Sequence, residues 1–236
     1  MLLRPFPRVM HLYRMAGFAA AVLPDEVTLG VVEGDPVAIA RAYETLCQPV
    51  MNLAARILQD RGAAEEVVQD TFVELLEKAT SIRERGAVKA WVRTVAVNHC
   101  LMRLRSPWTS RRMAGETDYL LETQQLDEAP VAVEQAMMLP TLEHALASLS
   151  DEARAVIWLH DVEGYTHKEI GELMGKTASF SKSQLARGYQ RLAEWARAND
   201  PGIGSRTDAD CARDREDEQE HVRYRIDANI DAPCAP

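Results

Sequence analysis

Residues 164–195 read GYTHKEIGELMGKTASFSKSQLARGYQRLAEW, and the punctuation of this stretch decides the fold. Thr166 and Glu169 stand three apart, the spacing of a capping box, so a helix opens at Thr166. Ile170, Leu173 and Met174 give that helix one apolar face, and Gly175 ends it at the position where glycine turns the chain without strain. Thr177 then caps a second helix carrying Leu185, Gly188 or Tyr189, Leu192 and Trp195 at helical spacing, with Lys182, Gln184, Arg187 and Arg191 expected on its exposed side. A short helix, a tight turn containing glycine and a longer basic helix form a helix-turn-helix, the geometry that places the second helix in a DNA groove. Many helical hairpins share the pattern without touching DNA.

Upstream, Ser150-Asp151-Glu152 caps a helix with Ala153, Val156, Ile157 and His160 as its core, and Leu139, Leu142, Leu146 and Leu149 support another before it. Residues 106–135, with Pro107, Pro130 and many Asp, Glu and Gln, read as a linker. Ahead of the linker lies a separate helical block at 35–105. Asp35-Pro36 opens its first helix, whose stripe is Ile39, Tyr43, Leu46, Val50, Leu53 and Ile57, with Pro49 off the stripe as a kink. A second helix, 63–79, buries Val68, Phe72, Leu75 and Ala79 and displays Glu66, Asp70, Glu74 and Glu77, relieved on the same helix only by Lys78. Such a face is either solvated or a docking face for a basic partner.

The third helix, 87–105, carries the most chemistry. Val88, Val92, Val95, His99 and Met102 fall on one side, Lys89, Arg93 and Arg103 on a second, and Trp91, Asn98 and Arg105 border a third. His99 therefore reads as a satisfied, half-buried histidine. Trp91 and Asn98 are seven residues apart and share a rim: an aromatic plate beside an amide that reads a base edge, among arginines that attract phosphate. A plain core tryptophan is the competing reading.

The formal charge of −9 argues against nucleic acid only on average. Residues 83–115 hold eight basic residues and one acidic, whereas 116–152 hold nine acidic residues and no lysine or arginine, so the charge is segregated into blocks. Cys47, Cys100, Cys211 and Cys234 share no close spacing, so neither a disulfide framework nor a metal site is legible, and a reducing cytoplasm is the expected compartment. No run approaches the roughly 20 apolar residues of a membrane span. Residues 1–34 read as a disordered leader, in which Met15–Leu23 is too short and too interrupted upstream for a signal peptide. Residues 199–236, rich in Asp and Glu without periodicity, read as a disordered acidic tail.

Ala64-Glu65-Glu66-Val67-Val68-Gln69-Asp70-Thr71-Phe72, continuing to Lys89-Ala90-Trp91-Val92-Arg93-Thr94-Val95-Ala96-Val97-Asn98, resembles region 2 of the extracytoplasmic-function (ECF) sigma factors of bacterial RNA polymerase. Glu163-Gly164-Tyr165-Thr166-His167-Lys168-Glu169-Ile170-Gly171-Glu172-Leu173-Met174-Gly175, with Lys182-Ser183-Gln184-Leu185-Ala186-Arg187, resembles region 4. The resemblance covers about 35–198. It implies an all-α protein of two small helical domains, region 2 at 35–105 and a region 4 helix-turn-helix at 136–198, joined by a flexible acidic linker. It further implies that Glu66, Asp70 and Glu74 dock on polymerase with side chains pointing away from the core. Lys89, Trp91, Arg93, Asn98, Arg103 and Arg105 would engage the −10 promoter element, opened with the loop at 81–90, and Lys168, Thr177, Lys182, Ser183, Gln184 and Arg187 the −35 element. Core RNA polymerase and promoter DNA are the implied partners, with room for an anti-sigma factor, and no cofactor or metal is implied. The chain departs from the family pattern at Lys176, Ser179 and Phe180-Ser181. Ser181 weakens the 181–185–188–192 stripe, and Phe180 is placed to rotate in.

The runner-up is a stand-alone helix-turn-helix regulator, which would bind duplex DNA without polymerase. An enzyme finds no support: there is no Gly-rich phosphate loop, no Ser-His-Asp order and no metal-spaced cluster, and the neighbours His99 and Cys100 diverge by about 100° on a helix.

Overall fold

Among the residues that the computed structural model describes, 17–82, 87–105 and 143–199, every regular element is helical. Residues 1–16, 83–86, 106–142, which hold the expected linker together with Leu139 and Leu142, and those beyond Asn199 lie outside that set. Helix α1, Asp25–Glu33, corrects the reading of 1–34 as an unfolded leader: it is ordered, with Val27, Thr28 and Val31 buried and Phe18 ahead of it 2% exposed. A two-turn helix with two valines on its inner face has too short a stripe to stand out in sequence. It forms because it packs on the helix that follows.

Helix α2, Pro36–Leu58, starts as its sequence predicts, with the Asp35 carboxylate accepting from the Val37 amide at 3.0 Å and proline in the first turn. Leu46, Leu53 and Ile57 are fully buried along it, each contributing about 1.5–3 kcal/mol of transfer free energy. Two positions differ from the reading. Pro49 is buried rather than off the stripe, because 46, 49, 50 and 53 are neighbours on one helical face. Tyr43 is 47% exposed and meets Phe72 edge-on with centroids 4.8 Å apart.

Asp60 caps α3, Arg61–Lys78, by accepting from the Ala63 amide at 2.9 Å, and a single 3-10 turn, Ala79–Ser81, follows. Helix α4, Val88–Arg105, packs against both α2 and α3. Two packing partners bury more than one stripe, so Val97, Cys100 and Leu101 join Val88, Val92 and Val95 inside. Met102, assigned to the core from its spacing, is instead 61% exposed.

The second block begins with a helical segment at 143–147. Helix α5, Asp151–Ile157, follows the Ser150 cap and widens into a π turn, Trp158–Val162. Helix α6, His167–Met174, carries the capping box in full: Thr166 accepts from the Glu169 amide and the Glu169 carboxylate accepts from the Thr166 amide. Gly175 at φ 65° ends α6, and Thr177 accepts from the Phe180 amide to start α7, Ala178–Asn199. The described residues up to Leu192 fall in one compact unit; in the other, Arg197 donates to the Ala193 carbonyl.

Ser181 corrects the expected helix face. It is fully buried on α7, its hydroxyl paired with His167 Nδ1 at 3.0 Å, so the polar group on the stripe is satisfied and needs no replacement by Phe180. The turn between α6 and α7 closes on Gly171, where a Cβ would come within 2.9 Å of the Thr177 carbonyl carbon, 3.0 Å of the Ala178 nitrogen and 3.1 Å of the Lys176 oxygen. All three are backbone atoms. Gly171→Ala is therefore expected to destabilise by about 1–3 kcal/mol through overpacking. Gly62→Ala, whose Cβ meets only the Asp60 carboxylate oxygen at 3.4 Å in the first turn of α3, is expected to stabilise by about 0.5–1 kcal/mol. Paired thermal unfolding curves check both; an unchanged midpoint for Gly171→Ala removes the close-approach argument.

Candidate nucleic-acid and partner surfaces

Helix α7 turns one face inward, built from Ser181, Gln184, Gly188, Tyr189 and Leu192. Gln184 thus corrects the expectation of an exposed base-reading residue: it is 8% exposed, because it lies three residues after Ser181 and four before Gly188 on the packed side. Lys182, Ser183 and Arg187 are exposed as expected, and Arg191 and Gln190 share their side. Gln190 was missed by sequence reasoning; its signal is the seven-residue step from Ser183. Lys168 projects from α6 into solvent with its side chain 83% exposed. Thr177 spends its hydroxyl on the α7 cap. The start of this hairpin is pinned by two imidazoles, His160 and His167, stacked with centroids 4.5 Å apart. Burial holds His167 below its ordinary pKa, reinforced by His160 and Lys182 and opposed by Asp161.

On α4 the rim residues are placed as read: Asn98 is exposed and Trp91 half-buried. The basic residues around them are engaged within the chain. Lys89 donates to the Ala21 carbonyl at 2.8 Å, Arg93 to the Glu163 carbonyl at 3.1 Å, and Arg105 to the Leu173 carbonyl at 2.6 Å. Arg103 pairs with Asp70 at 2.6 Å and lies 3.6 Å from Glu66.

That last contact adds to the expectation for α3: Asp70 stays exposed and faces Arg103, and Glu74 accepts from Lys78 at 2.8 Å and pairs with His99 Nε2 at 3.0 Å. The Lys78 contact, then Lys78 and His99 charge, hold the Glu74 carboxyl below the usual range against its partial burial. Charge missing from α3 itself comes from α4, an element remote in sequence. Glu66 and Glu77 remain exposed, and with them Val73 and Leu76, at 48% and 60% exposure. These two apolar residues were missed because they fall off the core stripe, which is the signal that marks them.

The first and second blocks meet along one seam. Arg93 lies 4.7 Å from the centre of the Tyr165 ring, Arg56 pairs with Glu143, and Arg154, 1% exposed, donates to the Ile57 carbonyl at 3.1 Å. Sequence reasoning passed over Arg154, since nothing in the pattern A-R-A-V-I distinguishes a buried arginine from a surface one. Among the described residues, the serine beside His167 is fully buried, and burial pushes the Cys100 thiol up to about 12. Among the described residues no group of three or more His, Cys, Asp or Glu is placed to hold a metal, and no helix is long and apolar enough to cross a membrane.

Residues 42–109 match the family model described as sigma-70 region 2, and residues 140–192 match the one described as sigma-70 region 4. The ECF RNA polymerase sigma factor SigM of Mycobacterium tuberculosis is 28% identical over 168 residues, covering 71% of this chain and 82% of its own length. ECF RNA polymerase sigma factor SigE of Mycolicibacterium smegmatis is 27% identical over 146 residues, 62% of this chain and 56% of its own. The probable RNA polymerase sigma factor RfaY of Xanthomonas campestris pv. campestris is 25% identical over 180 residues, 71% of this chain. The chain spans 45% of the length of that last relative.

Glu163, whose carbonyl receives Arg93, has an unusual carboxyl. Burial pushes it up to about 7, with Arg93 and the Trp158 side chain pulling it down. A carboxyl that binds its proton more tightly folded than unfolded destabilises the fold as pH rises from its ordinary value, 4.5, to about 7, and the full cost applies above that. Glu163→Gln, neutral throughout, is accordingly expected to gain stability over the unaltered chain between pH 5 and pH 8. Denaturant midpoints across that range test it; parallel curves would mean that the carboxyl titrates normally.

Proposed function

Because the chain belongs to the ECF sigma factors of the sigma-70 family, we propose that it is a promoter-recognition subunit of bacterial RNA polymerase, acting on DNA in the cytoplasm without catalytic activity of its own. The observation that carries the reading is the joint presence of two surfaces in one chain. An exposed asparagine beside a half-buried tryptophan stands on α4, and a basic outward face stands on the second helix of a helix-turn-helix. The first suits an unstacked base, since stacking and an amide contact both work on single strands. The second suits the major groove of duplex DNA. A factor that opens DNA needs both, whereas a stand-alone regulator needs only the second.

In this reading residues 35–105 act at the −10 element through Trp91 and Asn98, with Lys89, Arg93, Arg103 and Arg105 as phosphate contacts. Residues 136–198 act at the −35 element through Lys168, Thr177, Lys182, Ser183 and Arg187, with Gln190 and Arg191 added and Gln184 withdrawn to a packing role. Core polymerase is met by α3, through Glu66, Asp70 and Glu74 together with exposed Val73 and Leu76. An anti-sigma factor would be a further partner. Charge reversal at Asp70 would place a cation against Arg103, so it is a poor probe of docking; Leu76 is the cleaner one.

Run-off transcription with purified core polymerase on genomic fragments tests the assignment. Transcripts that require both proteins support a sigma factor, and duplex binding without any transcript supports the stand-alone regulator. Asn98→Ala is expected to lower promoter opening by the roughly 1–3 kcal/mol that a base-reading contact supplies, with assembly on polymerase unchanged. Wild-type rates at every promoter would make Asn98 a surface residue only. Leu76→Asp is expected to weaken polymerase binding about ten- to a hundredfold, the loss of about 1.5–3 kcal/mol of apolar burial, while helical content stays constant. Equal affinity would move the docking surface off α3.

A further inference from the structure

The helix-turn-helix block holds a polar network built on two stacked imidazoles. His160, in the π turn, and His167, at the start of α6, have ring centroids 4.5 Å apart and planes 16° apart. Each is tied to α7 at a different point. His167 Nδ1 pairs at 3.0 Å with the hydroxyl of fully buried Ser181. His160 Nδ1 pairs at 2.9 Å with the Asp161 carboxylate, 3% exposed, which also accepts from the Tyr189 hydroxyl. Ser181 and Tyr189 stand eight residues apart on the inward face of α7, so the network holds that helix at two places about 12 Å apart.

Between these places Gly188 seats α7 against α5 by apolar contact, since a Cβ there would come within 2.5 Å of Ile157 Cδ1 and 3.7 Å of Ala153 Cβ. Such contact does not change with pH. The polar hold does, because it depends on how many protons two stacked imidazoles carry. One proton has a counter-charge in Asp161; a second sets like charges face to face in a partly buried site. The groups around His167 do not relieve that repulsion. Lys182 of α7 is a further cation, and Ser181 and Tyr189 offer only hydroxyls. On α6 itself the Glu169 carboxylate is committed to Thr166, and Glu172 lies 4.0 Å from Lys168. From α4, which also packs on α6, Arg93 and Arg105 bring cations bonded to the Glu163 and Leu173 carbonyls. Burial, then His160 and Lys182, hold His167 below its ordinary value of 6.5. A base so placed costs the fold nothing well above that value and destabilises it as pH falls below 6.5.

We propose that His160 and His167 are positioning residues for α7, seating its start while at least one of the two is uncharged and releasing it when both carry a proton, so that duplex binding through Lys182, Ser183 and Arg187 weakens on acidification. The proposal rests on the reading of α7 as the helix that meets duplex DNA. Lys182 and Ser183 directly follow Ser181 in the chain, so loss of the Ser181–His167 pair reaches the DNA-facing side within one turn. Affinity then falls with the fraction of chains in which α7 is seated. Simple electrostatics expects the opposite sign: protonated histidines beside a basic face add positive charge and strengthen attraction to phosphate.

The test compares the full unaltered chain with His167→Asn, whose amide keeps a polar atom at the Nδ1 position for Ser181 but takes no proton, and with His160→Phe, which keeps a ring against His167 without its charge. Each is bound to core polymerase and titrated from pH 7.5 to pH 5.5 with a fluorescein-labelled duplex promoter fragment recovered by the run-off assay. Over that range the unaltered chain is expected to lose about three- to tenfold in affinity relative to either variant. The ratio cancels what all three share, including the titration of Glu163, whose effect on stability has the opposite sign. On the chain alone, denaturant midpoints are expected to fall on acidification relative to those of the variants. The His167 imidazole resonance, identified by its loss in His167→Asn, is expected to titrate below pH 6.5 and to move up in His160→Phe. Circular dichroism accompanies each variant, and if one loses helix the other decides. Parallel affinity profiles for the unaltered chain and the folded variant overturn the proposal, whatever the midpoints do. If no fragment is transcribed, the functional reading falls, and the seating of α7 is judged by the midpoints and the His167 resonance, where parallel curves overturn it.

Discussion

The Arg154 guanidinium is enclosed with 1% of its side chain exposed, and a buried charge of that kind imposes its needs on everything around it. It donates to the Ile57 carbonyl, the Leu149 carbonyl and the Asp151 carboxylate, acceptors drawn from α2, the loop before α5 and the first turn of α5. Removing the acceptors would leave a charge several kcal/mol out of equilibrium with water, so the three segments are held in register. Asp151 is placed by the Ser150 cap, and Ile57 by the packing of α2. A local capping signal and a distant helix end thus meet at one side chain. That meeting is one of the links between the two blocks.

Helix ends matter more here than helix middles. The apolar interior of α2, α3 and α4 is conventional, with valine, leucine and isoleucine filling the space between three helices. The less usual feature is how orphan backbone groups are satisfied. At the N-termini of α2, α3, α5, α6 and α7 the partner is local, an Asp, Ser or Thr within three residues of the amide it serves. In the last turns of α2 and α6 one carbonyl, that of Ile57 and of Leu173, accepts from an arginine of the other block. The asymmetry has a simple cause: carbonyls accept from long cationic side chains that reach across a seam, whereas a short hydroxyl or carboxylate works best from the adjacent turn.

The same economy applies to charge. Acidic α3 and basic α4 read in isolation as two unbalanced faces, one for a basic partner and one for phosphate. Folded together, Arg103 faces Asp70 and Glu66, and His99 faces Glu74, so part of each face is neutralised by the other. Those contacts are partly exposed and individually worth little. Their effect is on availability: the exposed Glu66, Val73, Leu76 and Glu77 remain to meet a partner.

The sequence by itself determined the elements and their caps, because capping and helical periodicity depend on residues within one or two turns. Asp35-Pro36, the Thr166–Glu169 box, Gly175 and Thr177 all act in the structure where their spacing places them. His99 as a satisfied histidine and Asn98 on an exposed rim were equally legible. Helix α1 was not, since two turns with two inward valines are held by packing rather than by their own propensity. Nor were the burial of Ser181 and Gln184, the exposure of Met102, or the crossing of Arg93, Arg105 and Arg154 between blocks. Each depends on which second surface a helix meets, and a period of 3.6 residues defines a face without naming its neighbour. A long arginine ends on solvent, phosphate or a distant carbonyl according to what lies within its reach, and only the tertiary structure brings Ile57, Glu163 and Leu173 there.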